Sequence, residues 1–186
     1  MPTTRPRPVR AAMRLPDWDY RRADWYFVTI GTKRHTRSLA HVALGRLVST
    51  EAGRVVGECW TRLHTLHPEV SLDAWVVMPD HFHALIRPAG VGKGQERGPG
   101  RPPEIEPRWR SGSLGVLINH FKRGVTVTLR QRGIPWPGWH RGYHDRVVRD
   151  PSALIRIRRY IGLNPVRYLA RHGGPAPTHA DGTGAL

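Results

Sequence analysis

Ala74-Trp75-Val76-Val77-Met78-Pro79-Asp80-His81-Phe82-His83-Ala84-Leu85-Ile86 holds two apolar runs on either side of a Pro-Asp pair. Such a pair between hydrophobic runs is a turn signal. The stretch therefore predicts a β-hairpin with arms over 72–78 and 81–87. Residues i and i+2 of a strand share a face. His81 and His83 then stand side by side, and Phe82 points the other way, into the core. Two parallel imidazoles on a rigid strand are the beginning of a metal site.

Outward from this hairpin, Trp25-Tyr26-Phe27-Val28-Thr29-Ile30 is aromatic and β-branched and reads as an earlier strand. Residues 41 to about 67 have helical spacing, with Val42, Leu44, Leu47, Val48, Val55, Val56, Trp60 and Leu63 on one broad apolar face. Pro68 stops that helix. A second helix is expected over 113–132, with Ser113 as N-cap and Leu114, Leu117, Ile118, Phe121, Val125 and Leu129 on one side. A turn-rich aromatic segment, Trp136-Pro137-Gly138-Trp139, leads to a short strand near 143–148. Asp150 and Pro151 suit the N-cap and N1 positions of a last helix. It is expected to run to about Leu163 and to be stopped by Pro165. The order strand, helix, strand, strand, helix, strand is a split βαβ pattern. It implies an α+β, ferredoxin-like antiparallel sheet with helices on one face, followed by a C-terminal tyrosine-bearing helix.

Three segments lack the pattern of a packed core. Residues 1–22 are rich in Arg and Pro and read as a flexible basic arm. Residues 88–112 read as a long mobile loop inside a single domain spanning 23–172. Residues 173–186 read as a disordered tail.

The chain has 186 residues, and 30 Lys plus Arg against 14 Asp plus Glu give a formal charge of +16. Nearly all the basic residues are arginine, whose planar fork matches phosphate oxygens and stacks on bases. Such a surface calls for a polyanion, nucleic acid above all. With 39% hydrophobic residues and a mean hydropathy of −0.49, no run suits a membrane span. No secretory h-region follows the basic start. A lone cysteine, Cys59, excludes an intrachain disulfide and a Cys-cluster zinc site, and fits the cytoplasm. There is no P-loop or dinucleotide fingerprint, so no nucleotide cofactor is expected.

Tyr160 and Asn164 are spaced i, i+4 and share a face of the last helix. Arg156, Arg158, Arg159 and Arg167 surround them. Guanidinium groups beside a tyrosine bind phosphate. The Asn164 carbonyl oxygen would suit a hard cation beside two imidazoles.

The run Trp75-Val76-Val77-Met78-Pro79-Asp80-His81-Phe82-His83 and the late Tyr160-Ile161-Gly162-Leu163-Asn164-Pro165-Val166-Arg167 resemble the REP-associated tyrosine transposases. These are one-tyrosine members of the HUH (His-hydrophobic-His) superfamily. The segment from Trp139 to Arg149 is similar to the family's intervening stretch, and the resemblance covers roughly residues 25–169. Trp136-Pro137 departs from the Trp-Gln common in relatives. The resemblance implies that His81, His83 and Asn164 hold Mg²⁺ or Mn²⁺, with Asn164 where other one-tyrosine enzymes use Gln. It also implies that Tyr160 is the nucleophile. The implied activity is cleavage and joining of single-stranded DNA through a 5′-phosphotyrosine, at palindromic REP-like hairpins. It leaves open whether the chain acts as a monomer or a homodimer.

Further DNA contacts are expected from Lys122 and Arg149, and from Trp136 and Trp139 as stacking platforms for unpaired bases. Core packing is an equal alternative for the two tryptophans. His64, His67, His120, His140 and His144 read as surface or packing residues, and His144 is also close enough to the basic strand to contact DNA. Among rivals, a non-catalytic nucleic-acid-binding module has the same fold and charge. A replication initiator or relaxase would need extra domains. A zinc hydrolase would need an acidic third ligand and a general base, and Asp80 would face away from His81 if the strand began at Asp80.

Overall fold

The structure is a computed structural model that describes residues 18–20, 22–90 and 113–172. Most of the expected basic arm, the loop beyond residue 90 and the expected tail lie outside the described residues.

Four strands form one antiparallel sheet: β1 (Trp25–Gly31), β4 (Ser71–Val77), β5 (His81–Arg87) and β6 (His144–Val148), in the order β4-β5-β1-β6. With α1 (Glu51–Leu66) after β1 and α2 (Leu114–Gln131) after β5, this is the expected ferredoxin-like α+β arrangement. No helix among the described residues is long and apolar enough to cross a membrane.

Alternation along the strands separates the two faces of the sheet. Tyr26, Val28 and Ile30 of β1 and Phe82, Ala84 and Ile86 of β5 are fully buried. They pack against Val55, Val56 and Trp60 of α1 and Leu117, Phe121 and Val125 of α2. Phe82 sits at the centre, with its ring centroid 5.1 Å from Trp60 and 5.3 Å from Phe121. Ser113 precedes α2 as expected, although its side chain makes no cap hydrogen bond.

The helix expected from residue 41 begins ten residues later. Its first part is a separate hairpin, β2 (Ala40–Ala43) and β3 (Arg46–Ser49). Leu44 and Gly45 at its tip both have positive φ, 48° and 68°, as the two central residues of a tight I′-type turn require. The real helix start is marked by Thr50, whose Oγ1 accepts from Gly53 N at 3.1 Å. A Cβ at Gly53 would overlap the Leu39 carbonyl oxygen, so glycine lets α1 begin against the chain that feeds the hairpin.

The last helix, α3 (Pro151–His172), continues through Pro165, correcting the expected stop. Asp150 Oδ1 caps it by accepting from Ala153 N at 2.6 Å. Pro165 removes the N–H that would serve the Ile161 carbonyl and crowds that carbonyl, but the turns before it are docked on the sheet and Pro165 itself lies half-buried beside Trp75 and Val76. Ala153, Ile157 and Ile161 lie at i, i+4 and i+8 and are buried with Leu85 and Val148 on the second face of the sheet. Burying each isoleucine stabilises this docking by about 1.5–3 kcal/mol. So two helices cover one face, and α3, the expected tyrosine-bearing helix to which the sequence reading assigned no face, covers the other.

Candidate active site

The second face carries His81 and His83. Register places Val76, His83, Thr29 and His144 in one row across the sheet. His81 lies opposite Gly31, at the end where β1 runs into a 3₁₀ turn. That turn is tied to the hairpin by buried Thr32, whose N–H and Oγ1 both donate to the Asp80 carbonyl at 2.9 Å.

The imidazoles converge by their Nε2 atoms, 3.1 Å apart. Each is backed on the other nitrogen: His81 Nδ1 lies 2.7 Å from Asp80 Oδ1, and His83 Nδ1 lies 2.8 Å from Thr29 Oγ1. An Nδ1–H donated to Asp80 leaves the Nε2 lone pair of His81 free. Asp80 therefore folds towards His81, not away from it, because it lies in the turn and escapes strand alternation. Burial, then the neighbouring His81, push His83 down to about 3 from its ordinary 6.5. A neutral imidazole is the form that ligates a metal.

Two adjacent ligands at about 2.1 Å from one octahedral cation would stand about 3.0 Å apart. The observed Nε2 pair matches that separation. The two imidazoles thus fit one cation. Among the described residues no cluster of three or more His, Cys, Asp or Glu side chains joins them into a fuller site.

Tyr160 is brought to this pair by the apolar stripe of α3. Its ring centroid is 5.7 Å from His83 and 5.9 Å from Phe27, both edge-on. It is 38% exposed, so a polyanion can reach it. Arg167 lies over the same ring, 5.7 Å from its centroid. Asn164 is half-buried one turn on, and its Nδ2 donates to the Tyr160 carbonyl at 3.1 Å. That is the single hydrogen bond of this side chain among the described residues.

The other expected contacts are dispersed. Arg156 and Arg159 are exposed on α3, and Arg156 reaches the pocket beside Tyr160. Arg158 instead pairs with Asp73 of β4, at 2.6 Å. Arg149 lies over the Trp18 ring. Lys122 uses its ammonium to bridge the His140 and Gly142 carbonyls, at 2.9 and 3.0 Å, and burial lowers its pKa. Trp136 and Trp139 are partly buried, pack on the main core and lie 5.0 Å from each other. Trp139 also donates to the Lys122 carbonyl. These three residues form a packed corner rather than an open platform.

Sequence reasoning missed Arg146, while His144 is exposed as expected and within reach of a bound strand. Both line a pocket of about 390 Å³ that adjoins Tyr160. The alternation in His144-Asp145-Arg146-Val147-Val148 carried the signal. Val147 joins the main core, which turns His144 and Arg146 to the face of the imidazoles.

No family model matches the chain. An uncharacterized protein of Haemophilus influenzae is 29% identical over 159 residues, 84% of this chain and 88% of the relative. A solved REP-associated tyrosine transposase bound to a REP hairpin has the same fold, with a TM-score of 0.55. The match covers 84% of this chain and 74% of that one, at 16% identity.

Proposed function

We propose that this protein is a tyrosine transposase of the REP-associated kind, which cuts and rejoins single-stranded DNA at palindromic hairpins. The observation that carries the reading is the convergence of His81 and His83 Nε2 atoms at 3.1 Å with the Tyr160 ring beside them. The charge of +16 supports a nucleic-acid substrate. The likeness in fold to a transposase holding a REP hairpin supports the kind of substrate.

In this reading the Tyr160 oxygen attacks phosphorus in line, the P–O3′ bond breaks, and a 3′-OH leaves. The strand stays on the enzyme as a 5′-phosphotyrosine. Its bond energy lets a second 3′-OH reverse the step without a nucleotide cofactor. His81, His83 and Asn164 would hold Mg²⁺ or Mn²⁺, which when bound polarises the scissile phosphate. Asn164 would exchange its bond to the Tyr160 carbonyl for that role. Asp80 and Thr29 keep the two imidazoles aimed. Arg156 and Arg167 bind the phosphates that flank the tyrosine.

One observation favours a second reading, a binding module without catalysis: the imidazole pair stands without a third His, Cys, Asp or Glu among the described residues. The test separates the two. End-labelled hairpin DNA, from palindromes flanking the gene, is incubated with protein and Mn²⁺ or Mg²⁺. A denaturation-resistant protein–DNA adduct is expected, and it should vanish in Tyr160→Phe and in His81→Ala. Salt-sensitive binding without adduct across several hairpins would establish the binding module instead.

A further inference from the structure

We infer that the pocket between β1, β6 and α3 takes one unpaired nucleotide of the bound strand, next to the phosphate that meets Tyr160. The location of that phosphate rests on the tyrosine transesterase reading; the chemistry of the pocket does not.

The pocket has a volume of about 390 Å³. That is within the range of about 300–1,000 Å³ typical of pockets that enclose a small molecule. Its floor is apolar: Phe27 of β1 with Ala153 and Ile157 of α3. Its mouth is cationic, because Arg146 of β6 and Arg156 of α3 approach from opposite walls. Both are exposed, and neither makes a salt bridge among the described residues. Asp145 also lines this wall, but the alternation that turns Val147 into the main core directs its carboxylate away from the two guanidinium groups. His144 adds the polar nitrogens of an imidazole ring to the lining.

An apolar floor under a cationic rim matches a nucleotide, which has a flat π-surface at one end and a phosphate at the other. A free phosphate would leave the floor unused. An apolar ligand would leave both arginines without a partner. Phe27 is also the ring that touches His83 and Tyr160, with centroids at 5.1 and 5.9 Å. A base lying on Phe27 would thus fix the strand relative to the nucleophile. A paired base cannot enter, so the pocket selects single-stranded DNA beside the hairpin, not its stem.

The test is fluorescence anisotropy with Tyr160→Phe protein, which keeps the ring and leaves the strand uncut. Labelled hairpins with single-stranded flanks are made abasic at one flank position at a time. One position should weaken binding by about 5- to 150-fold, the range for loss of one stacked base. Ala153→Leu, which raises the pocket floor, should erase that penalty. Should this variant not fold, Arg146→Gln/Arg156→Gln changes two exposed residues. It should weaken binding and reduce the salt slope by about two. Equal penalties at every position, or an unchanged penalty in Ala153→Leu, would overturn the pocket's role. So would a double arginine variant that binds like the parent. The adduct assay with Tyr160 intact reports separately on cleavage. An adduct with no privileged position removes the pocket alone, a privileged position with no adduct removes catalysis alone, and no DNA binding removes both.

Discussion

The two faces of one sheet have been put to different uses by the same alternation. On the first face, Tyr26, Val28, Ile30, Phe82, Ala84 and Ile86 are fully buried beneath α1 and α2. On the second, the intervening residues include Phe27, Thr29, His81, His83, His144 and Arg146, and only part of that surface is covered by α3. The first face is tuned for burial. The second holds groups whose burial is costly without partners, and partners are what they have: Asp80 for His81 and Thr29 for His83. Stability and chemistry can thus be altered one face at a time.

The largest effect should follow from neighbouring residues of β5 that point in opposite directions. Phe82→Ala leaves a void between Trp60 and Phe121 and should cost about 3–5 kcal/mol in urea unfolding. His81→Ala removes a half-exposed ring and one hydrogen bond, about 1 kcal/mol or less, yet should abolish the DNA adduct. Comparable losses of stability from both would mean that the imidazole face is structural.

That division explains what was legible in the sequence. Strands whose inner residues are apolar announce themselves, so β1, β4 and β5 were readable, and Phe82 with them. The i, i+2 histidines were readable as a pair for the same reason. Residues 41–50 were misread because Val42, Leu44, Leu47 and Val48 satisfy a helical period by accident, while the turn they belong to has Leu, not Asn or Asp, before Gly45. Pro165 was misread as a stop because the tertiary support that carries a helix past proline is nonlocal. The pocket beside Tyr160 was invisible for a like reason: β6 and α3 meet there only after the sheet has formed. Asp80 would face away from His81 only in a strand that began at Asp80; β5 begins at His81, so Asp80 lies in the turn and does not obey strand alternation.

Acid and alkali should probe the two faces separately. His83, on the second face, is held at about 3, below its ordinary 6.5. The unfolded chain takes up this proton first. Stability from His83 is therefore complete above about 6.5 and is lost as pH falls towards 3, by up to about 1.4 kcal/mol per pH unit. Tyr26, on the first face, is pushed up to about 12 from 10 by burial. Here the unfolded chain loses its proton first, so stability is complete below about 10 and is lost as pH rises towards 12. Unfolding curves in chelator should show the acid slope lessened in His83→Gln and the alkaline slope lessened in Tyr26→Phe. If each substitution flattened the opposite limb, the assignment of the faces would be wrong.

Asp80→Asn should act on metal affinity with little effect on the fold. The carboxylate touches His81 on the nitrogen opposite its neighbour His83, so an amide keeps the shape but weakens the hold on the ring. Losses from such supporting partners run to about 10–100-fold in affinity. Titration calorimetry with Mn²⁺ reads it directly. An unchanged affinity would leave Asp80 as a turn residue and nothing more.

The smallest effect lies outside both faces, at the hairpin that was mistaken for helix. Leu44 is fully exposed and has a φ of 48°. An L side chain with a Cβ is strained there, and exposure means that no packing offsets the strain. Asn tolerates this conformation, and Asn before Gly is the favoured pair for a I′ turn. Leu44→Asn should therefore raise stability by about 0.5–1 kcal/mol in urea unfolding. It should leave the His81–His83 face, and any DNA adduct, untouched. A loss of stability would mean that Leu44 has a partner in solution, and the hairpin would then be a contact surface rather than a loop that closes the path from β1 to α1.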